Sequence, residues 1–216
     1  MINTYTVDGN VHVLQFDHGE NRFSPEFLQA ANDALGKLEQ ETGALVTTGT
    51  GKYFSNGLDL DWLGANGDRL EPYLGEVHKL YARFINLPLP TVAALNGHAF
   101  AGGGMLALTH DFVLMRADRG WFCLPEVDLG MPFTPGMGAL IQSRLSRATA
   151  HEAMVTGRRY TAPEAIAAGI AQRSAPEEEV LSSAIDWART FAAKDGRSVA
   201  RIRRGMYGPV LDALAL

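Results

Sequence analysis

Residues 11–16, Val11-His12-Val13-Leu14-Gln15-Phe16, alternate between apolar and polar and predict a strand. The pattern then changes period. Ser24 followed by Pro25 and Glu26 is a helix start, with Ser24 as N-cap and Pro25 in the first turn. Apolar positions Phe27, Leu28, Ala31, Ala34, Leu35 and Leu38 recur at helical spacing, so the helix is expected over 25–41, with Gly43 closing the unit. The apolar run 44–48 follows as a buried strand, and 76–86 as a second amphipathic helix stopped by Leu87-Pro88-Leu89-Pro90. A strand over 91–96 runs into a glycine-initiated helix extending to about residue 110. Two further strands are expected over 111–116 and 120–124.

The order is strand, strand-like turn, helix, repeated with different loops and no repeat by sequence identity. From residue 133 onward helices dominate, with candidates over 147–156, 162–168 and 177–193. Residues 169–173 are a short strand-like return, and 197–216 a final helix broken by Gly205 and Gly208-Pro209. Two regions result: an α/β core over 1–175 and a helical C-terminal region over 176–216.

Composition narrows the function classes. A chain of 216 residues with 46% hydrophobic and 20% charged residues is an ordinary globular domain with a full core. A net charge of -5 argues against nucleic acid as a partner. Cys123, the one cysteine, is flanked by Trp121, Phe122 and Leu124 and is expected as a buried strand thiol. No apolar stretch reaches the ~18 residues of a membrane span. Residues 1–5 lack the basic and apolar regions of a signal peptide, so the expected location is the cytoplasm. His12, His18, His78 and His151 are scattered without metal-ligand spacing, and no metal is expected.

The candidate chemistry lies in Ala101-Gly102-Gly103-Gly104-Met105-Leu106-Ala107-Leu108. Three glycines at a helix start cost backbone entropy and bury no side chain. They suit a place where something approaches the backbone closely. The unpaired N–H groups of a first helical turn favour negative charge, so a carbonyl oxygen becoming an oxyanion is a natural ligand. Tight helix-to-strand packing is the alternative use. A second segment, Tyr53-Phe54-Ser55-Asn56-Gly57-Leu58-Asp59-Leu60, follows the buried strand at 44–48, and Pro125-Glu126-Val127-Asp128-Leu129-Gly130 comes later. Glu126 sits between apolar runs. Partial desolvation there raises a carboxyl pKa and makes it a better base; the alternative is an exposed loop glutamate.

These three segments, in this order, resemble the crotonase (enoyl-CoA hydratase/isomerase) superfamily over residues 5–175. The resemblance implies a crotonase-type spiral of ββα units and an acyl-CoA thioester as substrate, with no further cofactor. It implies assembly as a homotrimer or a hexamer of two trimers, and a C-terminal region shorter than usual for the family. It also implies an oxyanion hole made by the backbone N–H groups of Leu58 and Gly103, with Glu126 as the catalytic acid/base. CoA is then expected past Arg22, Phe23, Asn56, Gly57, Asp59 and Leu60. Trp62, Leu63, Phe100, Met105, Leu106, Leu129, Met131 and Phe133 are candidates for an apolar acyl pocket, though each serves core packing equally well.

One absence discriminates. Crotonase-type hydratases usually carry a second glutamate in the glycine-initiated helix, where this chain has Leu106. Adding water needs a held nucleophile and a delivered proton, which two carboxylates supply. Moving a double bond from C3 to C2 needs only a proton taken from C2 and returned at C4. The pattern is therefore similar to the Δ3,Δ2-enoyl-CoA isomerases, with hydratase activity and a non-catalytic acyl-CoA-binding or scaffolding role as the alternatives. Ser55 has no identifiable His and Asp partners for hydrolase chemistry. His98 is a candidate wall residue. His110-Asp111 is read as a cap with local hydrogen bonds, and Glu177-Glu178-Glu179 as a solvated helix start. The arginines at 197–204 are read as surface or subunit contacts, with CoA phosphate as a lesser alternative.

Overall fold

Three times along the chain a strand of a large sheet is followed at once by a strand of a small one. The computed structural model describes residues 1–8 and 10–215. β3 (Ala44–Gly49) leads to β4 (Tyr53–Ser55), β5 (Thr91–Leu95) to β6 (His98–Phe100), and β7 (Phe112–Arg116) to β8 (Phe122–Cys123). The first partners join a six-stranded sheet of order β1-β2-β3-β5-β7-β9, and the second partners form the three-stranded sheet β4-β6-β8. β1 (Ile2–Val7) pairs antiparallel with β2 (Val11–Phe16); every other pairing is parallel. Each ββ step is followed by helix, so the repeated ββα unit expected from the order of elements is present, in the α/β spiral that the resemblance implied.

Parallel strands buried on both faces read as near-continuous apolar runs, as β3 and β5 do. On one face, Val13, Val46, Val92 and Leu114 pack under Val180, Ala184 and Trp187 of α8 (Val180–Arg189). On the other, Leu14, Leu45, Ala93 and Met115 join the main core. That core includes residues of α1 (Pro25–Leu38), α3 (Leu70–Asn86), α4 (Gly102–Leu108) and α5 (Pro135–Arg144). Among the described residues no helix is long and apolar enough to cross a membrane.

Several boundaries differ from expectation. α1 is capped by Ser24, which accepts from the Phe27 N–H, but it ends at Leu38. Gln40 and Glu41 turn back instead, donating to Lys37 and Leu38 carbonyls. α3 begins at Leu70, six residues earlier than the pattern indicated, because Pro72 falls in its first turn where no intrahelical donor is required. β1, α2 (Leu60–Ala65) and α5 were not expected. α5 has a clear start, with Thr134 accepting from the Met137 N–H ahead of Pro135, but Gly136 and Gly138 blur its helical pattern. Gly136 is needed because a methyl group there would meet the Ala213 carbonyl at 2.8 Å.

α6 (Arg147–Thr156) matches its expected bounds, and α7 (Ala162–Ala167) stops one residue short. The helix expected over 177–193 is a 3-10 turn at Glu177–Glu179 followed by α8. The return strand is β9 (Arg173–Ala175), later than expected. α9 (Gly196–Leu214) bends at Tyr207, ahead of Pro209. Leu216, the last residue of the expected tail, lies outside the described residues.

Arg203 corrects the reading of the tail arginines as surface groups. It is 4% exposed, ion-paired with Asp111, and donates to the Leu87 carbonyl at 2.6 Å and the Leu89 carbonyl at 2.7 Å. The corner aspartate thus anchors α9 as well as receiving the Thr91 N–H at 2.8 Å. Cys123 is buried, and burial raises its thiol pKa to about 11.

Candidate active site

The C-terminal ends of β4, β6 and β8 lie side by side in the small sheet, with β6 in the middle. The parallel arrangement delivers three chain segments to one place: 55–58 after β4, 100–103 after β6, and 124–126 after β8. Residues 58, 101 and 126 line a single cavity of about 320 Å³. Sequence-distant motifs therefore meet because they occupy equivalent positions in successive ββ units.

The turn after β4 is held from within. The Ser55 hydroxyl donates to the Asn21 carbonyl at 2.7 Å and accepts from the Gly57 N–H at 3.1 Å. Ser55 is a buried turn residue, tied to backbone. Gly57 has φ +77°, and a methyl group there would lie 2.6 Å from the Gly102 nitrogen. A methyl group on Gly103 would lie 2.2 Å from the Ser55 carbonyl oxygen. The two turns are pressed together so closely that only glycine fits at these positions.

Between them Ala101 caps α4 with φ +50° and ψ -125°, a strained conformation for a residue with a Cβ. Such strain persists only where the surroundings impose it, and Ala101 forms part of the cavity wall. No side chain caps α4. Among the described residues, the N–H groups of Leu58 and Gly103 donate to no protein acceptor.

Glu126 sits in the 3-10 turn Pro125–Val127 that follows β8. It is 7% exposed, and its Oε2 has no hydrogen-bond partner. Burial, which penalises the ionised form, raises its pKa to about 7. The rest of the wall is largely apolar, from Leu58, Phe100, Pro125, Leu129 and Met131. Asp61 is the other carboxylate at the wall, and it lies outside as the exposed partner of Arg22 at 2.6 Å.

The expected CoA-contacting residues divide. Arg22, Asn56 and Leu60 line the cavity. Arg22 is held between Glu20 and Asp61, which raise its pKa further, so its charge is already countered. Gly57 shapes the turn. Phe23 is fully buried, stacked on Phe27 and edge-on to Tyr81. Asp59 caps α2 by accepting the Trp62 N–H at 3.1 Å.

The acyl-pocket candidates divide as well. Phe100, Leu129 and Met131 face the cavity, whereas Trp62, Leu63, Met105, Leu106 and Phe133 are absent from its wall. Met105 and Leu106 are core residues under α4. Leu63 and Phe133 pack on the edge of the core, and Trp62 stacks on Tyr73 with ring centroids 5.3 Å apart. Apolar type alone does not say which side of a wall a residue occupies. His98 is buried under Tyr53, Phe100 and Trp121, away from the cavity. Sequence reasoning also gave no wall role to Asp61, Ala101 and Pro125, and none to Tyr73 and Tyr81, whose hydroxyls reach the Phe23 and Gly102 carbonyls. Backbone strain and the destinations of tyrosine hydroxyls leave no sequence signal.

A family model described as enoyl-CoA hydratase/isomerase matches residues 6–214. The chain therefore belongs to the enoyl-CoA hydratase/isomerase family, and its fold is the crotonase fold. It is 36% identical over 200 residues to enoyl-CoA delta isomerase 3 of Arabidopsis thaliana, covering 87% of this chain and 84% of the relative. The human mitochondrial delta3-delta2-enoyl-CoA isomerase superposes with a TM-score of 0.91 at 26% identity, covering 99% of this chain and 85% of that one. An enoyl-CoA hydratase from Mycobacterium ulcerans gives a TM-score of 0.91 at 27% identity, covering 99% and 94%.

Proposed function

We propose that this protein is an isomerase that moves the double bond of 3-enoyl-CoA thioesters to C2. The observation that carries the proposal is the buried carboxyl of Glu126, its Oε2 without a hydrogen-bond partner, in a largely apolar cavity also lined by Leu58 and Ala101, with the N–H groups of Leu58 and of Gly103 at the start of α4 left without a protein acceptor. In this reading the thioester oxygen lies between the N–H groups of Leu58 and Gly103. Glu126 takes the C2 proton, the two amides hold the dienolate oxygen as it gains charge, and the same carboxyl returns the proton at C4. A carboxyl with a pKa of about 7 suits both halves of that cycle, because it is neither too weak a base nor too strong an acid near neutrality. CoA passes the Arg22 side of the cavity mouth. The active assembly is a homotrimer or a pair of trimers, and no metal or further cofactor takes part.

Hydration is the second reading, favoured by the hydratase among the structural relatives. Against it, Leu106 is buried and carries no polar group that could hold a water. The test follows both products from one 3-enoyl-CoA. The expected result is accumulation of trans-2-enoyl-CoA with little 3-hydroxyacyl-CoA. Hydration equal to or faster than isomerisation would overturn the proposal, and acyl-CoA binding without turnover would favour a non-catalytic role.

A further inference from the structure

A backbone N–H that must point at a reacting oxygen cannot be aimed by its own residue alone. It belongs to a planar peptide unit, whose carbonyl points the opposite way, and whatever grips that carbonyl sets the direction of the N–H. For the Leu58 N–H the carbonyl is that of Gly57, and it accepts the Phe23 N–H at 2.8 Å. For the Gly103 N–H it is that of Gly102. The Tyr81 hydroxyl donates to it at 2.9 Å.

Tyr81 lies on α3, is fully buried and rests edge-on against Phe23. A methyl group on Gly102 would meet the Tyr81 oxygen at 3.0 Å, so glycine there lets the hydroxyl come close. Eight residues earlier on the same helix, the Tyr73 hydroxyl donates to the Phe23 carbonyl at 2.8 Å and accepts the Asp59 N–H at 2.9 Å. One helix therefore braces both turns that flank the cavity from behind.

We infer that Tyr81 is a positioning residue that orients and polarises the Gly102–Gly103 peptide, so that the Gly103 N–H is held ready for the thioester oxygen. The inference rests on the oxyanion role proposed above for that N–H. A hydrogen bond into a peptide carbonyl strengthens the same peptide's N–H as a donor, by roughly 10–30% per bond. Burial, together with the nearby Glu126 and Tyr73 charges, raises the Tyr81 pKa well above 10, so the hydroxyl stays protonated as a donor at every working pH.

Tyr81→Phe removes the hydroxyl and keeps the ring packing. Losing an oxyanion donor outright costs about 10²–10³-fold in turnover, so loosening one is expected to lower kcat by about 5- to 50-fold with KM little changed. The decisive readout is the infrared frequency of the thioester carbonyl of a bound, unreactive saturated acyl-CoA. Wild-type protein should lower that frequency relative to free ligand, and Tyr81→Phe should return it part of the way. Replacement of Tyr81 by 3-fluorotyrosine, a stronger donor of nearly the same shape, should lower it further and serves if the phenylalanine variant folds poorly. Loss of packing alone would lower the melting temperature without moving the carbonyl band.

An unchanged band in both variants overturns the role of Tyr81, even if Glu126→Gln abolishes isomerisation as the proposed function requires. Full isomerisation by Glu126→Gln overturns the proposed proton shuttle instead, and leaves the carbonyl measurement to decide the role of Tyr81. No band shift in wild-type protein would remove the oxyanion role from Gly103, and this inference with it.

Discussion

At the scale of single residues, the proposed base Glu126 is also a source of instability. Its pKa is raised by burial, so the folded state binds the proton more tightly than the unfolded chain. Stability therefore falls as pH rises from about 4.5 through about 7, and above that the buried carboxylate costs roughly 3 kcal/mol. Glu126→Gln is expected to raise the melting temperature at pH 8 and to lose that advantage near pH 4.5. A denaturation series over pH checks this, and a pH-independent difference would contradict it. The same change should lower kcat by at least about 100-fold. Wild-type kcat/KM should fall on the acid side below pH about 7, where the base becomes protonated.

Gly103→Pro is a poorer probe of the oxyanion hole than its chemistry suggests, because any Cβ at 103 collides with the Ser55 carbonyl. Gly57→Ala meets both a positive φ and the Gly102 nitrogen, and is expected to destabilise by more than about 1 kcal/mol in urea. The buried position of Glu126 and the close approach of backbone at Gly57 and Gly103 were legible in the sequence because their residue types are demanding. Tyr81 was not, since a tyrosine on an amphipathic helix face is indistinguishable from core until the partner of its hydroxyl is known.

At the scale of elements, an ion pair between a buried arginine and a partly exposed aspartate decides how α9 sits. Arg203 joins α9 to Asp111 at the α4–β7 corner and to the carbonyls around the Leu87–Pro90 stop. Removing one partner of such a pair leaves a charge uncompensated and typically costs about 3–5 kcal/mol. Arg203→Ala is expected to lose stability in that range by chemical denaturation, whereas Arg201→Ala, on an exposed position of the same helix, should change it by less than about 0.5 kcal/mol. Equal effects would mean that the pair does not anchor the helix. Periodicity and apolar runs found α1 and the inner strands β2, β3, β5 and β7 of the large sheet, and missed its edge strand β1, which is largely exposed. They also missed α5, whose Gly136 answers to the backbone of α9 and not to helix propensity.

At the scale of the whole molecule, the division at residue 175 marks a change of element type and not a break in packing. α8 covers one face of the large sheet, and α9 packs on α3 and α5. Core and C-terminal region are therefore expected to unfold together in one transition. Trp187 lies on α8 and Trp62 and Trp121 in the core region, so single-tryptophan variants report each part. Coincident urea midpoints support one cooperative unit. An earlier midpoint for Trp187 would show that α8 detaches first.

The sequence by itself determined the kind of fold and pointed to three segments that the fold brings to one cavity. Strand and helix periods are local properties, and glycines and a proline-flanked glutamate mark positions where ordinary side chains fail. The tertiary structure alone decided which apolar residues face the cavity and that Arg203 is buried. It also decided that α3 reaches the far side of the peptide bearing the Gly103 N–H. Those are facts of long-range packing. Whether a leucine lines a cavity, or a tyrosine finds a carbonyl, depends on where distant segments come to rest, and neither residue carries that information in its own neighbourhood.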